Sequence, residues 1–116
     1  RNWHFAEGCT REGFQTWLCL ANPCDRPTEV QIEYYLGSGE VKGRGITIPP
    51  GTRVTVDVNL DVGPGQDVSV RTASSLPVLA ERPMYFNYGG AWAGGHIAVG
   101  SSEPRSEWHF AEGCTR

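Results

Sequence analysis

The chain has 116 residues, of which 39% are hydrophobic and 20% are charged, and its formal net charge is −3. This length and balance predict one globular domain with a modest hydrophobic core. Lysine and arginine are scattered, which argues against a nucleic acid partner, and no apolar run approaches the roughly 20 residues that span a bilayer. The chain has no initial methionine and no recognisable signal peptide, so we expect it to be part of a longer product.

The first two thirds of the chain show the period-two alternation that is typical of half-buried β-strands. Apolar and polar side chains alternate in residues 29–36, 54–58 and 68–71. Residues 14–21 are apolar on both faces in their second half, as expected for a central strand.

Turn-forming residues separate these segments at short intervals and predict an all-β protein. No segment long enough for an ordinary helix keeps helical periodicity without glycine or proline. The pattern favours seven or eight short strands in an antiparallel β-sandwich. The predicted turns are residues 22–27, 37–39, 49–51, 63–65 and 74–77.

The last third of the chain has a different composition. Residues 78–86 form a further predicted strand, and residues 87–95 are predicted to be a glycine- and aromatic-rich loop. Residues 96–100 then return to a short strand. We therefore divide the chain into a sandwich over residues 1–100, a polar linker over residues 101–106, and a final segment over residues 107–116.

The nine residues Trp-His-Phe-Ala-Glu-Gly-Cys-Thr-Arg occur twice, as residues 3–11 and as residues 108–116. Duplication at this distance predicts a tandem array or a head-to-tail polymer. The final segment is then either the first strand of a following unit or a strand donated to a neighbouring copy, because an added strand supplies main-chain hydrogen bonds to an open sheet edge. The predicted assembly strand residues are Trp3, Phe5, Trp108, His109 and Phe110.

Four cysteines in a chain of this length favour an exported protein with disulfides, although buried free thiols in a cytosolic protein are the alternative. The candidates are Cys9, Cys19, Cys24 and Cys114. Cys19 is expected to pair with Cys9 or its copy Cys114, and the competing possibility is a local Cys19–Cys24 bridge. In the first case Cys24 is left to link neighbouring units.

Five segments together resemble an uncharacterised repeat of large secreted or surface-attached bacterial proteins. They are Trp-His-Phe-Ala-Glu-Gly (3–8), Gly-Phe-Gln-Thr-Trp-Leu-Cys-Leu-Ala-Asn-Pro (13–23), Ile-Pro-Pro-Gly-Thr-Arg (48–53), Pro-Val-Leu-Ala-Glu-Arg-Pro-Met-Tyr-Phe (77–86) and Gly-Gly-His (94–96). The resemblance implies an immunoglobulin-like sandwich, export and tandem arrangement, and no catalytic residues. Cys24 departs from the pattern, because such repeats often have a turn glycine there.

The best candidate for a ligand site is an aromatic platform of Trp92, Tyr88 and Tyr85, because aromatic rings stack on the apolar faces of sugars. The favoured alternative is that Trp92 covers the open end of the sandwich or packs on the next repeat. No metal site, cofactor or catalytic set is predicted. The loop from Asp57 to Asp61 has an incomplete set of calcium ligands.

Three glutamates, Glu7, Glu81 and Glu112, lie in apolar sequence. We expect them to be partly buried and paired with Arg11, Arg53 or Arg71.

These features favour an extracellular structural unit that assembles with copies of itself into a surface fibre or stalk. A carbohydrate-binding or adhesive module, with surface glycans as partners, is the alternative. An enzyme is disfavoured, because no nucleophile, base and oxyanion donor can be assembled.

Overall fold

In the computed structural model the chain forms eight β-strands and one short helix. The structure describes residues 1–116, apart from the side chain of Tyr88. The elements in chain order are β1 (Asn2–Phe5), β2 (Phe14–Ala21), β3 (Thr28–Leu36), β4 (Val41–Ile48), β5 (Arg53–Asp57), α1 (Val58–Val62), β6 (Val68–Ser74), β7 (Leu79–Tyr88) and β8 (Trp92–Val99).

The strands form two four-stranded antiparallel sheets, with orders β1-β6-β3-β4 and β5-β2-β7-β8. The predicted β-sandwich is therefore confirmed. The inner pairs β2–β5 and β3–β6 match the B–E and C–F pairs of an immunoglobulin sandwich. The first and last strands differ from that arrangement. Each lies in the opposite sheet from its immunoglobulin counterpart, because β1 pairs with β6 and β7 pairs with β2.

The core lies between the two sheets, and the alternation of β3 illustrates how the sequence builds it. Val30, Ile32, Tyr34 and Leu36 are all buried, and the residues between them face outward. Each aliphatic side chain that is fully buried contributes about 1.5–3 kcal/mol to folding. The period-two prediction for this strand is confirmed.

Asn22 organises the turn between β2 and β3, which the sequence marked only as a turn. Its buried amide Nδ2 donates to Arg26 O at 2.7 Å and to Ile48 O at 3.1 Å, and its Oδ1 accepts from Cys24 N at 3.0 Å. The Asn22 side chain thus satisfies two carbonyl groups and one amide group of the backbone around this turn.

Residues 87–95 were predicted to be a loop, but they contain the turn of the β7–β8 hairpin. Gly89 and Gly90 have positive φ angles of 60° and 71°, which glycine adopts without strain. A Cβ atom on Gly94 would lie 2.9 Å from Phe86 Cζ, and one on Gly95 would lie 2.7 Å from Tyr85 Cδ1. The aromatic rings of β7 therefore lie across the glycines of β8.

The chain enters and leaves the sandwich at neighbouring points. His4 N donates to Ser101 O at 2.8 Å, and Ser101 N donates to His4 O at 2.9 Å, in an antiparallel bridge. Residues 102–116 form no strand. The part of the chain that the structure describes contains no helix long and apolar enough to cross a membrane.

Candidate functional site

The first copy of the repeated motif opens the chain as β1, at the edge of one sheet. Its four residues pair antiparallel with β6, from Asn2 opposite Ala73 to Phe5 opposite Val70. The Phe5 side chain is only 4% exposed, and its ring fills the space where a side chain on Gly100 would otherwise lie. Trp3 is half-buried, and its Nε1 donates to Val78 O at 2.8 Å. Both large side chains are thus part of the core.

The rest of the first copy is held by hydrogen bonds from buried polar groups. Cys9 N donates to Thr16 Oγ1 at 3.0 Å, and the same hydroxyl donates to Cys9 O at 2.7 Å. Thr10 Oγ1 donates to Gly63 O at 2.7 Å and accepts from Gln66 N at 2.9 Å. Residues 8–10 are consequently as well fixed as a strand, although they form only an isolated bridge.

The second copy has the same residues in a solvent-exposed environment. Trp108 is 52% exposed and Phe110 is 87% exposed. The polar contacts of the segment are local: Trp108 Nε1 donates to Arg105 O at 3.0 Å, and His109 Nε2 lies 2.9 Å from Glu107 Oε1. The predicted assembly strand is therefore folded into the core at the head of the chain and exposed at its tail.

A cleft of about 640 Å³ lies between β1, the end of β8 and the tail. Its walls include Phe5, Glu7, Arg82, Trp108 and Phe110, so both copies of the motif contribute to it. The second copy thus lies beside the sandwich, across this cleft from β1.

The disulfide prediction is wrong for the pairings within the chain, because all four cysteines are free thiols. Cys9 lies beside Thr16, which faces the core, while Cys19 is on the opposite face of β2, where Arg53 Nη2 lies 3.3 Å from its Sγ. The two cysteines are thus separated by the strand itself. Cys24 Sγ instead approaches Pro77 O at 3.7 Å, so the local alternative with Cys19 is also not formed. Cys114 is exposed.

The predicted aromatic platform is divided between two faces of the β7–β8 hairpin. Trp92 is 73% exposed and pairs in register with Tyr88, whose side chain lies outside the described part of the structure. Tyr85 is also exposed, but it pairs with Gly95. Along β7, Tyr85 is an odd number of positions away from Tyr88, the partner of Trp92. Because side chains alternate along a strand, Tyr85 faces away from Trp92. The two rings do not form one surface.

The predicted buried glutamates are exposed, and this expectation was wrong. Glu81 points outward from β7 because Ala80, Arg82 and Met84 occupy the inner face. The charged side chain inside the sandwich is that of Arg82.

Two of the three suggested arginine partners pair with other acids. Arg11 forms an ion pair with Asp67, and Arg71 Nη1 lies 2.9 Å from Glu33 Oε2. Arg53 Nη2 instead contacts the Cys19 thiol.

The aspartates of the suggested calcium loop have structural partners. Asp57 caps α1 by accepting from Leu60 N at 3.2 Å. Asp61 accepts from Tyr34 OH and pairs with Arg44 at 2.9 Å. Burial, and next the hydrogen bond to Asp61, raise the pKa of Tyr34, which therefore remains a donor. The described residues contain no group of three or more side chains that could hold a metal ion.

Strand β8 was not anticipated as a functional element. It pairs only with β7, and nearly all of its residues are exposed, with Ile97 and Val99 presenting apolar side chains to solvent. An edge strand with an unpaired backbone can accept a further strand.

The fold has similar solved structures. The crystal structure of Thermotoga maritima 1070 matches with a TM-score of 0.81 and 18% identity, over 89% of this chain and 94% of that chain. The Anabaena sensory rhodopsin transducer matches with a TM-score of 0.63 and 22% identity, over 70% of this chain and 92% of that chain. At these identities the similarity establishes the fold alone.

Sequence comparison identifies a family. No curated protein matches the chain. The profile of DUF5719, a family of unknown function, matches residues 2–80, which run from β1 to the start of β7. This range includes the buried copy of the motif, the whole β1-β6-β3-β4 sheet, and strands β2 and β5 of the other sheet. The chain therefore belongs to DUF5719, a family of unknown function.

Proposed function

We propose that the chain is a structural unit of a head-to-tail array at a cell surface, in which residues 107–116 fold as the first strand of the following unit. The observation that carries the proposal is the difference between the two copies of the motif. Phe5 is 4% exposed and Phe110 is 87% exposed, although they occupy the same position in two identical nine-residue motifs. A sequence that forms a core strand at one end has the same capacity at the other.

Burial supplies the driving force for this arrangement. Moving a Trp or Phe side chain from solvent into a core stabilises the protein by about 1.5–3 kcal/mol. Trp108 and Phe110 gain little of this in a single unit, because they are half or almost fully exposed. In a following unit they would occupy the places that Trp3 and Phe5 have here.

The spacing between units fits a continuous chain. β8 ends at Val99, and Glu107 is the counterpart of Asn2, the first residue of β1. The seven residues between them span at most about 25 Å when extended. Consecutive sandwiches would therefore be close neighbours, joined by a short polar connector that contains Pro104.

Disulfides are not part of the proposal, because the motif cysteine is a buried free thiol when the motif is folded. An exported location belongs to the proposal and is supported by the resemblance of the sequence to repeats of surface proteins. We propose no catalytic activity.

A tandem chain tests the proposal. Continuing residue 116 with a second copy of residues 12–116 creates two complete units from the present sequence. We expect the backbone amides of residues 107–110 to exchange rapidly with deuterium in the single unit. In the tandem chain they should be protected as strongly as those of residues 2–5.

Phe110→Ala provides the matched variant. It should destabilise the second unit of the tandem chain as much as Phe5→Ala destabilises the single unit. If residues 107–110 remain unprotected in the tandem chain, the array is rejected. Electron microscopy of the native protein should show filaments of repeating beads.

A sugar-binding role for Trp92 is a second candidate, favoured by the 73% exposure of its side chain. Because Tyr85 faces away, Trp92 would act without it. Trp92→Ala should abolish retention on immobilised glycans, whereas Tyr85→Ala should not, and both variants should leave the protection of residues 107–110 in the tandem chain unchanged.

A further inference from the structure

Arg82 is a buried cation without an oxygen acceptor. The residue is 3% exposed and lies on the inner face of β7. Its Nη1 contacts Met84 Sδ at 3.8 Å, and its Nε has no hydrogen-bond partner. A thioether is a weak acceptor, and a guanidinium group has five N–H donors. The hydrogen-bonding capacity of Arg82 is therefore almost entirely unused.

The charge of Arg82 is also unpaired. The ion pairs among the described residues involve five other arginines and one histidine. Burial lowers the pKa of the Arg82 guanidinium, while the negative charge of Glu7 acts in the opposite direction without forming an ion pair. A buried charge is ordinarily retained only with a partner that compensates for its lost hydration.

Arg82 is among the residues that line the cleft of about 640 Å³ beside β1, a volume in the range of small-molecule sites. Most of the cleft wall is apolar. Its apolar lining includes Phe5, Val70, Ala98, Val99, Trp108 and Phe110.

We propose that this cleft binds an organic monocarboxylate, with the carboxylate paired to the guanidinium of Arg82 and the apolar part of the ligand against Phe5 and its neighbours. The planar guanidinium matches the two oxygens of a carboxylate. Arg71 and Arg105 also line the cleft, but their charges are paired with Glu33 and Glu103. Glu7 lines it as well, so its charge disfavours a dianion such as phosphate more than a single carboxylate.

The charged part of the site does not depend on the array, because Arg82, Glu7 and Phe5 belong to the sandwich. Trp108 and Phe110 complete the cleft wall in the single chain, and the array would move them into the following unit. The carboxylate has two possible sources: a free organic acid, or an acidic side chain of an adjoining unit. The chemistry at Arg82 is the same in both cases, and the experiment below separates them.

Benzoate is the probe, and the Nε–H resonance of Arg82 in the chain of residues 1–116 is the measurement. We expect saturable shifts of this resonance on adding benzoate, with weaker shifts from inorganic phosphate. Arg82→Met should weaken benzoate binding by about tenfold or more, as expected for loss of a charged hydrogen-bond partner, measured by the rise in Tm with benzoate concentration. Arg26→Met, at an exposed arginine, should leave benzoate binding unchanged.

Two further variants complete the test. Glu7→Gln should strengthen the response to phosphate, because it removes the repelling charge. If Arg82→Met does not fold, Arg82→Lys replaces it as the variant for the benzoate affinity measurement. The response of the Arg82 resonance to benzoate in the unaltered protein tests the proposal without any variant.

The proposal is overturned if the Arg82 resonance does not respond to benzoate, or if Arg82→Met keeps the affinity of the unaltered protein. In the tandem chain, continued binding of benzoate identifies a free acid as the ligand. An Arg82 resonance that is already shifted and no longer responds identifies a carboxylate of the adjoining unit.

Discussion

The two copies of the motif show how far nine identical residues determine a structure. Residues 3–11 form a buried strand and a hydrogen-bonded crossing segment, whereas residues 108–116 are exposed and form no strand. The first copy has β6 as a pairing partner and Gly100 beneath Phe5. The second copy has neither within the described structure. A β-strand is therefore a property of the motif together with an acceptor surface.

The largest expected difference between the copies is at the phenylalanines. Phe5→Ala should lower the free energy of unfolding by about 3–5 kcal/mol, because it leaves a cavity over Gly100. Phe110→Ala should change it by no more than about 0.5 kcal/mol in the single unit. Urea unfolding of the two variants gives both values, and Phe5→Leu keeps the comparison measurable if Phe5→Ala is unfolded. Equal losses would show that the tail is part of the core.

A smaller difference is expected at the tryptophans. Trp3→Phe removes the donor to Val78 O and should cost about 1–3 kcal/mol through the unpaired carbonyl. Trp108→Phe removes only a local bond to Arg105 O, and its Tm should match that of the unaltered protein. A comparable loss of Tm in both variants would contradict the assignment of the two environments.

The motif cysteines should differ in their reaction with a thiol reagent. Cys114 is exposed and Cys9 is buried, so Cys9 reacts only after the N-terminal segment has unfolded locally. An opening free energy of about 1.4 kcal/mol would already make Cys9 about tenfold slower. Mass mapping of the labelled peptides at early times distinguishes the two sites. Rapid labelling of Cys9 would indicate that β1 is not stably docked.

The smallest effect is expected from pH. The hydrogen bond from Tyr35, and then that from Arg71, lower the pKa of Glu33 below its ordinary value. The folded state therefore binds this proton less readily than the unfolded chain, and the stability from Glu33 is present above its ordinary pKa and lost as the pH falls through the lowered value.

Glu33→Gln should accordingly flatten the decline of Tm at pH values below about 4, relative to Glu40→Gln at an exposed turn. Arg71 also donates to Asn2 Oδ1 at 3.2 Å, so acidification should loosen the first copy before the rest of the sheet. An unchanged pH profile in Glu33→Gln would separate Glu33 from the stability of β1.

The sequence predicted the sandwich because period-two alternation depends on one buried face, as in residues 29–36. It predicted a strand only from residue 96 onward and missed the first half of β8, where glycines replace the alternating side chains and the rings of Tyr85 and Phe86 lie across the strand. The turn and the strand have the same composition there, so only the cross-strand contacts distinguish them.

From the sequence, Glu81 was expected to be partly buried, but the buried charged residue is Arg82. β7 has apolar side chains on both faces, so its alternation did not show whether Glu81 or Arg82 points inward. Its pairing with β2 resolves this, because Ala80 lies opposite Leu20, which is buried. The unpaired state of Arg82 depends on side chains far apart in the sequence and could not be read from any local pattern.

The antiparallel bridge between His4 and Ser101 has a mechanical consequence. In an array, tension would reach each unit through two segments that lie side by side and run in opposite directions. Their hydrogen bonds would then be loaded one at a time, as in a zipper, and would not resist together as in strands sheared along their length. Such a filament would lengthen under modest pulling by releasing its edge strands, and would recoil when the load is removed.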